Sequence, residues 1–379
     1  MKVLMTSITF IPSNILCGHS QFELLKQKGV LDYRFQFARK LKKQDVEWAD
    51  VIVFLRSDTE IEAYVSEYAK KVGKHLVYVL DDNILDCPSY LSCYPYYSLK
   101  STKKAIRTIM SNCDVFLTPS PVLLEKYGEP FKYKYLISEP SLNRIKEKRE
   151  NEKVKIGFAG SIDRTQDINV ILEEAITKIH DKYKDSVDIE FMGAKPDFVE
   201  KLGLTYLPYQ DGYEAYTKYM GECNWDIGLA PMPDSDFHSC KYFNKFVEYA
   251  SFGIVGIYSN LKPYVFGIKD RENGLLVENT TESWINAISE LIDDEKLRKK
   301  MSKECIRQAN EIYSLEICTE DYYEKCLSGF VEKDEYGPIP DLTLVKIGYF
   351  IKLVWQKVKE KKLYFPIWAM QRLLLKLKK

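Results

Sequence analysis

The sequence predicts an α/β protein made of two consecutive parallel-sheet domains that face each other across a cleft. Two observations indicate this fold class. Short apolar strands alternate with amphipathic helices in two stretches of similar length, and a charged segment at residues 144–153, RIKEKRENEK, separates the stretches. Strands that alternate with helices pair in parallel and are covered on both faces. We therefore assign residues 1–145 and 153–330 to the two domains and residues 338–379 to a basic, amphipathic helical tail.

The first domain begins with a strand, followed by a loop that holds Gly18 and His19. Apolar runs predict strands at residues 3–9, 51–54, 75–80, 115–118 and 133–137. Amphipathic runs predict helices at residues 32–43, 60–72, 101–112 and 121–127. The strand at 75–80 ends in Asp81, Asp82 and Asn83. Because ligands bind at the carboxyl ends of strands in such sheets, these polar residues are expected to face the cleft.

The same alternation restarts after the charged segment. Strands are predicted at residues 154–159, 187–192, 204–207, 226–231, 254–260 and 274–277. Helices are predicted at residues 167–179, 198–201, 213–222, 243–251, 281–293 and 295–328. Two parallel-sheet halves of similar size make the interdomain cleft the expected active site.

Composition excludes several classes of protein. The chain of 379 residues is 45% hydrophobic and 29% charged, as is typical of a globular protein of two or three domains. The nine cysteines are scattered, without a CxxC pair, which favours a reducing compartment and excludes a disulfide frame or a zinc site. No segment has the roughly 18 uncharged apolar residues of a spanning helix, and the N-terminus lacks the apolar stretch of a signal peptide. We expect a cytoplasmic protein.

The tail carries its own charge pattern. From Pro338 to Lys379, ten Lys or Arg face two acids, although the whole chain has a net charge of zero. Apolar residues recur at helical spacing on both sides of Pro366, and aromatic residues are concentrated there. This pattern predicts a helix pair in residues 342–379 that lies on an anionic membrane surface, at the inner face of the cell membrane. A helix pair packed on the first domain or in a dimer remains open, whereas the acidic body argues against nucleic acid.

The strongest candidate for a ligand site lies between the strands at 226–231 and 254–260. Glu248 stands in an apolar helix, where a carboxylate is costly unless it is paired or binds something. Lys241 and Lys245 precede it by about two turns and one turn. Cations, a carboxylate acceptor and the free backbone N–H groups of a helix start suit a phosphorylated polyol. A core helix whose Glu248 bonds a backbone group or an interdomain Arg is the alternative.

Other polar residues are weaker candidates. Asp81 and Asp82 stand at a strand end that points into the cleft, where a carboxylate can bind a ligand, unless Asp82 only caps the following turn. His19 lies in the first strand-to-helix loop, where a lone His is more often a surface residue. Asp234 and Asp236 form an Asp-x-Asp pattern, but it follows a strand of the second half and precedes a helix with lysines. We therefore expect no metal site there.

The segments NKFVEYASFGIVGIYSN and ENGLLVENTTESWINAISELIDD, after a strand and a Gly-Ser loop, resemble the donor-binding half of retaining glycosyltransferases of the two-Rossmann, GT-B type. The resemblance is to the family-4 group of bacterial surface-polysaccharide enzymes and covers about residues 150–330. It implies a GT-B fold, no cofactor, a nucleotide diphosphate-sugar donor, and a glycan or polyprenyl-linked acceptor, with retention at the anomeric carbon.

The resemblance also implies roles for individual residues. It implies that Gly160 and Ser161 offer backbone amides to the diphosphate and that Glu248 binds the ribose hydroxyls. Arg164 matches the Arg of the family's Arg/Lys pair, unless it is a solvated loop residue, and Lys241 is expected to supply the second cation. Asn244, beside Lys245, belongs to the same motif. The resemblance further implies that Asp81 or Asp82 binds a sugar hydroxyl or accepts the proton of the acceptor, and that the loop holding His19 closes on the donor.

One position departs from the family pattern. The first acid of the Glu-x7-Glu motif falls at Cys240, and a thiol cannot accept sugar hydroxyls as a carboxylate does. Asp234 or Asp236 is expected to substitute from the same loop. The expected enzyme is a metal-independent glycosyltransferase with Asp82, Arg164 and Lys241 as catalytic groups. A nucleotide-sugar 2-epimerase or a non-catalytic partner subunit remains open.

Overall fold

The structure is a computed structural model that describes residues 1–210 and 212–360, with side chains given through Trp355. Two six-stranded sheets form its framework, and every strand pairing in both is parallel. The first sheet has the order β2-β1-β3-β4-β5-β6 and contains β1 Lys2–Ser7, β2 Asp32–Phe37, β3 Val51–Leu55, β4 His75–Val79, β5 Val115–Thr118 and β6 Tyr133–Leu136. The second has the order β12-β11-β10-β7-β8-β9 and contains β7 Val154–Gly160, β8 Val187–Gly193, β9 Thr205–Leu207, β10 Ile227–Ala230, β11 Val255–Ser259 and β12 Leu275–Val277.

Helices connect successive strands in both domains. Those of the first half are α1 Pro12–Asn14, α2 Ser20–Gln27, α3 Lys43–Trp48, α4 Glu60–Lys71, α5 Tyr94–Tyr97, α6 Lys100–Asn112 and α7 Pro121–Tyr127. Those of the second half are α8 Thr165–Tyr183, α9 Asp197–Lys201, α10 Tyr213–Cys223, α11 Asp236–Ser239, α12 Asn244–Ser251, α13 Thr281–Asp293, α14 Glu295–Glu311, α15 Leu315–Cys326 and α16 Thr343–Glu360. The predicted α/β class with two parallel sheets is confirmed.

One predicted element is wrong. The helix expected at 32–43 is an edge strand, β2, which pairs in parallel with β1 through Val3↔Tyr33 and Met5↔Phe35. Its sequence, DYRFQF, alternates polar and aromatic residues with the period of two that a strand requires. The preceding segment, expected as a loop, contains helix α2, which buries Phe22 and Leu25.

The domains are joined by more than the charged segment. Tyr322 and Cys326 of α15 lie in the apolar core of the first sheet, in which Val77 and Leu117 also take part. The Cys326 carbonyl lies 2.9 Å from Nε2 of His75 on β4. The chain therefore returns to the first domain after completing the second.

Helix α16 continues along the first domain. Leu342, just before it, and Tyr349 are buried in the core that includes Ile61 and Val65 of α4. Lys352 bonds Glu60 of α4. Of the tail, residues 343–355 therefore pack on the first domain, whereas 361–379 lie outside the described residues. In the part of the chain that is described, no helix has the length and apolar character needed to cross a membrane.

Candidate active site

The carboxyl ends of the two sheets face each other, and the polar loops that follow their strands meet between the domains. The loop after β4 carries Asp82, and the loop after β10 carries Lys241. Oδ2 of Asp82 lies 3.1 Å from Nζ of Lys241, although the residues are 159 positions apart in the chain. Burial opposes ionisation of Asp82, but Lys241 and then Arg56 outweigh it, so the pKa of this carboxyl lies below its usual value. The structure thus joins two of the three predicted catalytic residues in one ion pair across the cleft.

Arg164 stands at the start of α8, directly after the loop that leaves β7. Its guanidinium donates to the Pro231 carbonyl at 2.5 Å and to Oδ2 of Asp167 at 3.2 Å. It is half-buried, not solvated, because the loop after β10 packs against it. His238 connects the two cations: its Nε2 lies 3.9 Å from the Asp167 carboxylate that Arg164 bonds, and its carbonyl accepts a hydrogen bond of 3.1 Å from the Lys241 amide.

The Gly160-Ser161 loop lies at the end of β7. The Gly160 carbonyl accepts a hydrogen bond of 3.0 Å from the Ala194 amide, at the end of the adjacent strand β8. Gly193 has a left-handed φ of +80°, and a Cβ there would lie 2.1 Å from the Gly160 oxygen. Only glycine fits this close approach of two strand ends. Ser161 is exposed at the cleft end of the sheet, where the predicted diphosphate site requires it.

Glu248 projects from α12 and is half-buried. Its carboxylate lies 3.0 Å from Nζ of Lys245 and accepts a hydrogen bond from Tyr216. Burial and the Glu139 carboxylate of the first domain raise the pKa of Glu248, whereas burial and Arg164 lower that of Lys245. Burial therefore disfavours the ionised form of both side chains, and the two groups compensate each other as a close pair.

The remaining residues of the predicted donor loop differ in exposure. Asn244 is exposed at the start of α12, and Asp234 and Asp236 are exposed in the loop before it. Cys240, at the position of the expected first acid, is buried and accepts a hydrogen bond of 3.6 Å from Asn83 of the first domain. Cys240 therefore joins the two domains at the position where the family pattern has a carboxylate.

His238 is a site residue that the sequence reasoning missed. It is 2% exposed, with Nδ1 2.8 Å from the Ser235 hydroxyl and Nε2 3.9 Å from the Asp167 carboxylate. Burial, together with Arg164 and Lys241, lowers its pKa to about 4. The imidazole is thus neutral at neutral pH and stands among the charged candidates. Its position three residues before Lys241, in the segment between β10 and α12, is the signal that could have identified it.

A second group combines the predicted residue Asp81 with three residues that the sequence analysis did not identify, Cys17, Arg56 and Glu139. Arg56 contacts the Asp81 carboxylate at 3.1 Å, and Cys17 donates to Oε1 of Glu139 at 3.4 Å. Burial first, and then the Asp81 charge, raises the pKa of Glu139 to about 8. Ligand atoms of Cys17, Asp81 and Glu139 lie within 4.8 Å of one another. However, Arg56 already supplies a cation to Asp81, and burial raises the pKa of the Cys17 thiol well above its usual value. These groups do not fit a metal ion.

His19 lies apart from these groups. Its Nδ1 is 2.9 Å from the Tyr33 hydroxyl, and its ring packs edge-on against Phe10. Both contacts are at the β2 edge of the first sheet. Another cleft contact comes instead from the loop after β4, where Ser92 donates to Asp163 of the second domain at 2.9 Å.

Comparisons with known proteins show which solved structures share this fold. No protein-family model and no curated protein sequence matches the chain. The structure is similar to that of Anabaena HepE in complex with UDP and glucose, with a TM-score of 0.61 and 13% identity, over 86% of this chain and 100% of that one. Sucrose-phosphate synthase from Thermosynechococcus elongatus has a TM-score of 0.59 and 12% identity, over 86% and 99% of the two chains.

A third similar structure is that of a Listeria monocytogenes protein proposed to be a UDP-N-acetylglucosamine 2-epimerase. Its TM-score is 0.56 at 14% identity, over 89% of this chain and 99% of that one. At these identities the likeness establishes the fold, which is GT-B. Structures that share this fold include a protein described as a glycosyltransferase from Rickettsia africae, with a TM-score of 0.57, and HepE in complex with UDP-glucose, with a TM-score of 0.60.

Proposed function

We propose that the protein is a glycosyltransferase that moves a sugar from a nucleotide diphosphate-sugar to a lipid-linked glycan in surface-polysaccharide synthesis. The observation that carries the proposal is the charged group between the domains, where Asp82 and Lys241 pair across the cleft close to Arg164. This group lies at the carboxyl ends of the strands of both sheets, where α/β folds of this kind bind ligands.

The donor is held by the second domain in this proposal. Arg164 and Lys241 bind the diphosphate and stabilise the charge that develops as it leaves. The backbone of Gly160 and Ser161 contributes amide donors at the end of β7. Glu248 accepts hydrogen bonds from the ribose, as the family resemblance implies, and Nζ of Lys245 lies 3.0 Å from its carboxylate. Two cations are sufficient for the leaving group, so the proposed reaction is metal-independent.

The first domain supplies the acceptor side. Asp82 is the group placed to take the proton of the incoming hydroxyl, because its lowered pKa keeps it ionised at neutral pH. When the diphosphate binds Lys241, the Asp82 carboxylate loses its partner across the cleft and becomes free to accept a hydrogen bond from a sugar hydroxyl. Because the diphosphate and Asp82 compete for Lys241, donor binding would also free Asp82 to act as the base.

The tail supports an acceptor that is lipid-linked. One face of α16 packs on the first domain, but Leu344 is 82% exposed, Phe350 39% and Trp355 46%. Lys346 and Lys352 lie on the same helix. An outward apolar face with nearby lysines suits the interface of an anionic membrane. In our proposal this face holds the enzyme at the inner face of the cell membrane.

A 2-epimerase is the second candidate function, and the similar Listeria structure favours it. An epimerase needs no acceptor, so donor alone would yield an epimer. A transferase given donor alone would yield only slow release of nucleoside diphosphate.

The test is incubation of the full-length protein with UDP-, GDP- and dTDP-sugars, with and without a bacterial membrane lipid extract. We expect sugar to appear in the lipid fraction with one donor and Lys241→Ala to reduce the rate at least tenfold, because a cation that stabilises the leaving group is lost. Lys178→Ala, on the exposed face of α8, is the control. Epimer formation from donor alone would favour the second function, and turnover of no donor would contradict both.

A further inference from the structure

Arg56, at the carboxyl end of β3, has a strained backbone. Its φ is +48°, one of four positive values among the non-glycine residues in the described ranges. Its amide still donates to the Val79 carbonyl of β4 at 2.9 Å, so the turn follows directly from the sheet. A non-glycine residue in this region costs free energy, and such strain persists where the surroundings fix it and tends to occur at functional sites.

The buried Glu62 of α4 fixes this turn. Its carboxylate accepts hydrogen bonds from the three residues that follow Arg56 and from the end of β1. The donors are the Ser57 hydroxyl at 2.6 Å, the Thr59 hydroxyl at 2.8 Å, the Asp58 and Thr59 amides at 3.3 and 3.2 Å, and the Thr6 hydroxyl at 3.2 Å. The backbone of this loop is thus held independently of the Arg56 side chain.

The guanidinium of Arg56 points to the loop after β4. It donates to Oδ1 and Oδ2 of Asp81 at 3.2 and 3.1 Å, and to the Ser13 hydroxyl at 3.4 Å. Asp81 immediately precedes Asp82. Arg56 therefore ties down the turn that carries the proposed base and places a fixed positive charge beside it.

We propose that Arg56 is a positioning residue for Asp82: its guanidinium holds Asp81, the residue before Asp82, and its positive charge stays beside the Asp82 carboxylate after the donor has taken Lys241. The inference rests on the proposed function. In the free protein both Lys241 and Arg56 compensate Asp82. The diphosphate competes for Lys241, which belongs to the donor-binding domain, whereas Arg56 lies on the same domain as Asp82 and stays with it.

Several charged or titratable groups surround Asp82. They are Arg56, Asp81, Cys87, His238, Cys240 and Lys241. His238 is neutral at neutral pH, and burial raises the pKa of both thiols. Among these groups, only Lys241 and Arg56 carry a positive charge at neutral pH. In our proposal the donor binds Lys241 and does not bind Arg56.

The test uses Arg56→Gly, because glycine tolerates the left-handed backbone and removes only the side chain. Arg271→Gly is a matched control, since Arg271 also has a positive φ, of 62°, and pairs with a carboxylate, Glu290, outside the cleft. The pKa of Asp82 is read by NMR titration of protein labelled with 13C at aspartate carboxyls, with its signal assigned by Asp82→Asn. The titration is run with and without UDP.

We expect Arg56→Gly to raise the pKa of Asp82 by at least half a unit, with a larger rise when UDP is bound. The variant should melt at a lower temperature than wild type, because Asp81 loses its buried partner. Arg56→Lys should keep that pKa within 0.3 units of wild type, and Arg271→Gly should leave it unchanged. If Arg56→Gly does not fold, Arg56→Gln carries the same expectation. An unchanged pKa in the neutral variant would overturn the proposal.

Activity separates this inference from the proposed function. In the transfer assay, the acid limb of the kcat profile should move to higher pH in Arg56→Gly, with KM for the donor within threefold of wild type. An unmoved limb would overturn the positioning role and leave the transferase intact. A wild-type protein that transfers no sugar would overturn the proposed function, while the titration would still report whether Arg56 controls Asp82.

Discussion

At the residue scale, the sequence identifies Asp82 and Lys241 separately but cannot pair them. Their contact depends on how two domains meet, and no local pattern reports that geometry. Glu139 is missed for a related reason, since it follows a short edge strand and belongs to no motif. Cys240 was noticed as a departure from a pattern, but its contact with Asn83 across the cleft required the structure. Motifs thus locate the donor side, whereas the partners from the first domain come from tertiary structure.

Glu139 leads to a prediction on stability. Its pKa is about 8 in the folded protein, mainly through burial, and about 4.3 in an unfolded chain. The folded state therefore binds more protons between these values, so Glu139 costs stability as pH rises through that window. We expect Glu139→Gln to raise the melting temperature at pH 8.5, by an amount equivalent to 1 kcal/mol or more at about 1.4 kcal/mol per pKa unit, and to have little effect at pH 4.5.

The measurement is thermal unfolding of both proteins between pH 4.5 and 8.5. Glu152→Gln, at an exposed position, is the control and should leave the curve unchanged. A gain from Glu139→Gln that is equal at all pH values would show that the carboxylate is not the cause.

At the element scale, periodicity predicts most of the fold. Helices α7 and α13 have the predicted bounds, because Pro121 starts one and Thr280 caps the other. The failure at β2 came from the wrong period: Tyr33, Phe35 and Phe37 alternate, and a helix would place them on different faces. Helix α16 shows what periodicity cannot decide. An amphipathic helix reveals an apolar face, but not whether protein or lipid covers it.

The outward face of α16 supports the prediction for the membrane. In the triple variant Leu344→Glu, Phe350→Glu and Trp355→Glu, binding to vesicles that contain one-third phosphatidylserine should fall at least tenfold. The new carboxylates are repelled by the anionic headgroups, and the apolar contacts with the lipid are lost. The fold of the variant should persist, since Leu342 and Tyr349 keep their packing. Vesicle binding is measured by flotation of the full-length protein. The control is Val170→Glu, at a position on α8 that is 76% exposed. Equal flotation of the three proteins would show that this face does not bind lipid.

At the scale of the whole molecule, the two domains meet through charged and polar side chains. Asp82 pairs with Lys241, and Ser92 bonds Asp163, so the cleft is bridged by groups that a ligand can displace. The parallel pairing of the strands in two sheets follows from the alternation in the sequence. The bridging contacts do not, because each depends on how one domain is oriented against the other. The proposed donor site requires that Arg164 and Lys241 bind one diphosphate together.

The most direct test of that claim is a double-mutant cycle for nucleoside diphosphate binding, measured by calorimetry. Wild type, Arg164→Ala, Lys241→Ala and the double variant are titrated with UDP, then with GDP and dTDP, with Lys178→Ala as control. We expect each single change to weaken binding of one nucleotide at least tenfold, about 1.4 kcal/mol, with a coupling of at least about 0.5 kcal/mol between them. Affinities within twofold of wild type in both single variants would contradict the account.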